Sequence, residues 1–150
     1  MKDRFVKGFI SGIIAWVPTF IFNYGAFYLK LSTLRWSDFA GIMLYGKKPH
    51  GLPENLFALL GVIFFLGLLG VVYAYLIPKL LSEYYVFKSW VYGVTLWFVF
   101  YSVTLLFKVN YLKLIPLKTA ICNFIGASIW GITLGLAFFF LNNILKEKNS

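Results

Sequence analysis

Residues 55–78 read Asn-Leu-Phe-Ala-Leu-Leu-Gly-Val-Ile-Phe-Phe-Leu-Gly-Leu-Leu-Gly-Val-Val-Tyr-Ala-Tyr-Leu-Ile-Pro, without one Asp, Glu, Lys or Arg. An α-helix rises about 1.5 Å per residue and a bilayer's hydrocarbon core is about 30 Å thick, so roughly 20 such residues cross it. The stretch is long enough, and it has no polar face to turn towards water. Residues 8–29, 89–107 and 119–145 are likewise free of charge. We therefore expect an all-α integral membrane protein with four transmembrane helices, at about 8–29, 55–78, 89–107 and 119–142, in one domain covering residues 1–150. Asn142 to Leu145 fall in the interface. Tilted ten-residue strands with a polar lumen face would not produce runs this long and uniform.

Composition agrees. The 150 residues are 61% hydrophobic and only 13% charged, with a mean hydropathy of +0.81, whereas a soluble domain carries roughly a quarter of its residues as charges. Ten Tyr and five Trp suit a chain that meets two headgroup layers. Lys2, Arg4 and Lys7 before the first run could open a signal peptide, but the run is too long and no small-x-small cleavage site follows.

An even number of spans puts both termini on one side. Lys2, Arg4, Lys7, Lys79, Lys88, Lys146 and Lys148 then face Lys30, Arg35, Lys47, Lys48, Lys108, Lys113 and Lys118 across the bilayer, an equal division under the positive-inside rule. The compact charge before the first span assigns both termini to the cytoplasm. The net charge of +9 sits in residues that flank spans, so its expected partners are anionic lipid headgroups and not nucleic acid.

The first loop is long enough for structure of its own. Ser37 or Asp38 can cap a short helix that Gly46 ends. We expect it to lie in the interface, Trp36 and Tyr45 at headgroup depth. Pro53 suits the first turn of the second span and Glu54 the positive end of its dipole. The short later loops make sequential helices antiparallel neighbours in an up-down bundle.

Between helices in lipid, small residues permit close approach and isolated polar groups act as glue. The last span carries Thr119, Asn123, Ala127, Gly131 and Gly135 at intervals of four, and the first carries Gly8, Gly12, Ala15, Thr19, Asn23 and Ala26. Gly8, Gly12, Ala127, Gly131 and Gly135 are the expected packing residues. Pro18 removes one hydrogen bond within the first span and should kink it. Asn23 and Asn123 lie at similar depth on the first-loop side. With Asn55 and Ser102, and with Tyr24, Tyr101, Thr104 and Cys122 nearby, they either bond neighbouring helices at about 1 kcal/mol or less each or line a polar pocket opening near His50 and Glu54.

Chemistry has little to work with. One His, His50, and one Cys, Cys122, make neither a metal cluster nor a disulfide within the chain, and the glycines form no nucleotide loop. Asp3, Asp38, Glu54, Glu83 and Glu147 all lie at or beyond span ends, leaving no embedded carboxylate for coupled transport. We expect no catalytic residue, cofactor or metal.

The basic start into Gly8 and Gly12, the segment Trp36-Ser37-Asp38-Phe39, Lys88-Ser89-Trp90 entering the third span and the small-residue fourth span resemble the YqhR-type membrane proteins of Gram-positive bacteria. The resemblance implies a four-helix chain of the bacterial inner membrane and no catalytic residue. The expected function is a non-enzymatic bundle that binds another membrane protein or a lipid. The alternative is a small oligomeric channel, carrier or lipid-handling protein built around Asn23 and Asn123.

Overall fold

A computed structural model describes residues 3–76, 84–112 and 114–147. Lys2, Pro78, Lys79, Glu83, Lys113 and Lys148 lie outside the described residues, as do the side chains of Leu145, Lys146 and Glu147. The chain forms five helices, α1 (Arg4–Tyr28), α2 (Trp36–Tyr45), α3 (Gly51–Leu76), α4 (Tyr85–Leu106) and α5 (Leu117–Glu147), with no strand among the described residues. All but α2 are long and apolar enough to cross a membrane.

Several helices outrun their charge-free runs by about a turn. Absence of charge marks the hydrocarbon layer, whereas a helix ends where its backbone groups find other partners. At the start of α1, Asp3 Oδ1 accepts a hydrogen bond from Phe5 N at 2.8 Å. The helix then continues through Pro18 as one element. Both α1 and α4 stop at a lysine in the left-handed region, Lys30 (φ 58°) and Lys108 (φ 48°). Beyond these lysines, Leu31 N donates to Ala26 O and Val109 N to Thr104 O, each over 2.9–3.1 Å. Glycine is the usual residue at such a stop.

The registers make the four spans antiparallel in turn. Gly8 lies against Gly70 and Ala74, Gly93 against Ala127 and Gly131, and Asn23 meets Asn123. Helix α1 packs on α3 and α5, and α5 packs on α4. Size sorts the residues in the reverse of a soluble bundle. The buried face of α1 is Gly8, Ser11, Gly12, Ala15, Thr19, Asn23 and Ala26, while Leu56, Phe57, Leu60 and Phe64 of α3 are all more than half exposed. Lipid is as apolar as Leu, so burying Leu gains little and close backbone approach decides the interior. The tightest seams follow. A Cβ on Gly12 would run into the Leu66 carbonyl, and one on Gly131 would lie 2.7 Å from the Ser89 carbonyl.

Helix α2 departs from the sequence reading at its start. Arg35 is the N-cap and Asp38 stands three residues inside, where its Oδ2 accepts from Arg35 N at 2.7 Å. The Arg35 guanidinium grips the same carboxylate at 2.8 Å and lies over the Phe27 ring. Hydrogen bonding to Asp38 raises the Arg35 pKa above its ordinary value, against the opposing effect of burial. Gly46 ends the helix in the left-handed region at φ 70°. Trp36 was expected at headgroup depth, but it turns inward, 3.8 Å from where a Gly126 Cβ would sit, and packs on the bundle core. A second apolar cluster of Leu34, Ile42 and Leu112 ties this end to the loop after α4.

Candidate functional site

Helices α3 and α4, although consecutive spans, do not pack backbone to backbone like the other pairs. Towards α5, α4 presents Ser89 and Gly93, which let the two backbones meet. Towards α3 it presents Tyr92, Leu96 and Phe100, and large side chains hold helices apart. The two spans touch through the side chains that α4 extends to α3. Tyr92 OH donates to Leu69 O at 2.9 Å, and the rings of Phe65 and Phe100 meet edge to face at 5.4 Å.

The space so opened is a cavity of about 460 Å³. Val62, Leu66 and Leu69 of α3 wall one side, and Leu96, Trp97 and Tyr101 of α4 the other. Asn123, Ala127 and Trp130 of α5 close the back, while Trp36, Phe39 and Ala40 of α2 roof the first-loop end. The rim includes Met43, Leu44, Phe65 and Phe100, each at least a third exposed, so the mouth lies where lipid chains would pass. The lining is almost wholly apolar, and no Asp, Glu, Lys, Arg or His belongs to it.

One polar chain enters the wall. Trp36 N donates to Asn23 Oδ1 at 2.9 Å, Asn23 Nδ2 to Asn123 Oδ1 over a long 3.4 Å, and Asn123 Nδ2 to Tyr101 OH at 2.8 Å. Both amides are buried, at 1% and 2% exposure. The backbone N–H of Trp36 can only donate, which settles which end of each amide faces which way. The amides are thus consumed by their neighbours, and the space beside them is apolar rather than the polar pocket weighed from sequence.

Tyr101 and Thr104 line the cavity with Asn123, while other residues of that pocket lie elsewhere. Asn55 donates to Gly51 O at 2.7 Å and accepts from Arg35 Nη2 at 3.2 Å, so it braces α2 against α3. Ser102 is partly exposed and outside the cavity lining. Glu54 takes His50 N at 2.7 Å and Lys47 Nζ at 3.3 Å, fastening the turn between α2 and α3. Cys122 is buried, its Sγ 3.7 Å from Leu31 O. Gly8 and Gly12 lie in the α1–α3 seam, and Ala127, Gly131 and Gly135 in the α4–α5 seam. Among the described residues no three His, Cys, Asp or Glu gather as a metal site would need.

Sequence reasoning missed the cavity because it turns on which face α4 gives to α3. The available signal was Trp97 and Tyr101, four residues apart on an otherwise lipid-like helix. Comparison of the chain with family models, with curated proteins and with solved structures finds no match.

Proposed function

We propose that this chain is a non-enzymatic, multi-pass protein of a bacterial cell membrane, both termini cytoplasmic, that binds lipid hydrocarbon in the cavity between α3 and α4. The observation that carries the reading is an uncharged apolar cavity of about 460 Å³ whose rim is built from exposed apolar side chains of two membrane-spanning helices and α2. That volume falls within the range of small-molecule sites, roughly 300–1,000 Å³. Packed interiors rarely leave a void much larger than a water molecule, and the surrounding solvent here supplies apolar chains. The Lys and Arg residues flanking the spans would hold anionic headgroups, and the YqhR-type resemblance agrees with the membrane assigned.

Filling the cavity tests this. A Cβ on Gly61 would meet nothing closer than Leu44 Cδ1 at 3.6 Å, so Gly61→Phe can enter the space without moving backbone. After detergent extraction, native mass spectrometry should find lipid retained by the wild type and lost from Gly61→Phe, with the unfolding temperature unchanged. Equal retention by both proteins would remove the cavity as the binding site.

A further inference from the structure

The cavity wall holds a phenol hydroxyl whose hydrogen has no acceptor among the described residues and, beside it, an indole N–H that makes no well-aligned hydrogen bond. Tyr101 OH accepts from Asn123 Nδ2 at 2.8 Å, and its own hydrogen meets no acceptor among the described residues. Beside it, with ring centroids 4.9 Å apart, the buried Nε1–H of Trp97 approaches the same phenol oxygen without the alignment of a hydrogen bond. Buried polar groups are paired in the great majority of cases, so each exception calls for an explanation. Here the direction is enforced. Because Trp36 N–H fixes Asn23, Asn23 sets Asn123, and Asn123 donates to Tyr101, the phenol at the end of the relay is left as a donor.

Depth narrows what could answer it. Tyr101 stands seven residues before Lys108 in sequence, a rise of about 10 Å at the helical pitch. It therefore faces the outer part of the hydrocarbon layer on the first-loop side, beneath the headgroups. The group of a membrane lipid that sits near this level, accepts hydrogen bonds and donates none is the carbonyl of its acyl linkage. Resting on the lipid-binding reading above, we propose that the cavity selects an acyl lipid, whose carbonyl oxygen takes the Tyr101 hydroxyl hydrogen while its chain fills the space between α3 and α4. The Trp97 ring packs against that seat. Hydrocarbon alone would give the cavity affinity, and the carbonyl gives it choice.

The test compares a diacyl phosphatidylglycerol with its dialkyl ether analogue of equal chain length, and with the free fatty acid, each titrated into delipidated protein in detergent and read by native mass spectrometry. The wild type should hold the diacyl lipid or the fatty acid about fivefold more tightly than the ether lipid, the yield of one hydrogen bond. Tyr101→Phe should erase that preference and keep the ether affinity. A preference for the diacyl lipid identifies a bilayer ester as the source, and one confined to the fatty acid identifies a free carboxyl. Equal binding of ester, acid and ether lipids by the wild type, a comparison that needs no variant, overturns the carbonyl seat but leaves the lipid-binding reading standing. So does an ester preference that survives Tyr101→Phe. If no lipid of any linkage binds, the lipid-binding reading falls with it.

Discussion

Helix α3 meets two neighbours in opposite ways. Along its seam with α1, Gly67, Gly70 and Ala74 face Gly8 and Gly12, and a Cβ added to Gly8, Gly12 or Gly70 would strike backbone. Along its face towards α4, Val62, Phe65 and Leu69 look into open volume, and contact comes from the side chains of Tyr92 and Phe100. One helix is thus welded on one side and ajar on the other. In a solvent as apolar as the side chains, burying large residues gives little drive for association, so stability concentrates where backbones approach. A face dressed in large side chains is then free to admit a ligand without unmaking the fold.

The sharpest way to break this contrast is Gly12→Leu. The new Cβ meets the Leu66 carbonyl and the Gly67 Cα, atoms of helical backbone that cannot swing aside. Overpacking costs about 1–3 kcal/mol even where side chains can yield, so we expect at least about 3 kcal/mol here and loss of the folded monomer in detergent. Chemical unfolding read by circular dichroism checks it. Gly61→Phe, on the open side of the same helix, should cost little by the same assay. Similar losses from both would mean the two faces are equally packed.

A smaller effect should come from Arg35→Ala. The Arg35 guanidinium bonds Asp38 at 2.8 Å and 3.2 Å and Asn55 at 3.2 Å, and removing it leaves a carboxylate that is only 4% exposed with Oδ2 still held by the backbone N–H of residue 35 and Oδ1 without its donor. Hydrogen bonds to charged groups contribute about 1.5–3 kcal/mol, so the variant should lose about 2 kcal/mol. The cavity roof should loosen with it, since α2 supplies Trp36, Phe39 and Ala40 to the lining. Hydrogen exchange should rise in α2 while the α1–α3 seam stays protected. A uniform rise across all helices would show that α2 is part of the main cooperative unit and not a roof set on it.

The spans were legible because crossing hydrocarbon demands long charge-free runs, a property each segment carries by itself. Their ends were less so. Lys30 and Lys108 take a backbone conformation that sequence rules reserve for glycine, and the capping partner of α2 is Arg35, whose own N–H binds Asp38. For the site, residue type and depth bring Asn23 and Asn123 into consideration together, but depth gives no angle around the helix axis. Asn55 and Ser102 share that depth and point elsewhere. The cavity depends on angle alone, on Tyr92 and Leu96 of α4 turning to α3 while Gly93 turns to α5, and no single helix records which neighbour it will face.

The gentlest prediction addresses that open face. In the α4–α5 seam the polar groups are spoken for: Trp90 Nε1 reaches Ser128 Oγ at 3.0 Å and Ser89 Oγ reaches Val86 O at 2.9 Å. Across the cavity wall, Trp97 Nε1 lies near the Tyr101 hydroxyl but makes no well-aligned hydrogen bond. Trp97→Phe gives up some ring contact with Phe124 and also removes a buried donor whose unmet desolvation costs about 1–3 kcal/mol. These terms oppose each other, so delipidated Trp97→Phe should match the wild type within about 0.5 kcal/mol or exceed it. The matching change in the seam, Trp90→Phe, strands the Ser128 hydroxyl and should cost about 1 kcal/mol. If Trp97→Phe proved the more damaging of the two, the indole N–H would have a partner within the chain, and the wall would be finished in the same way as the seam.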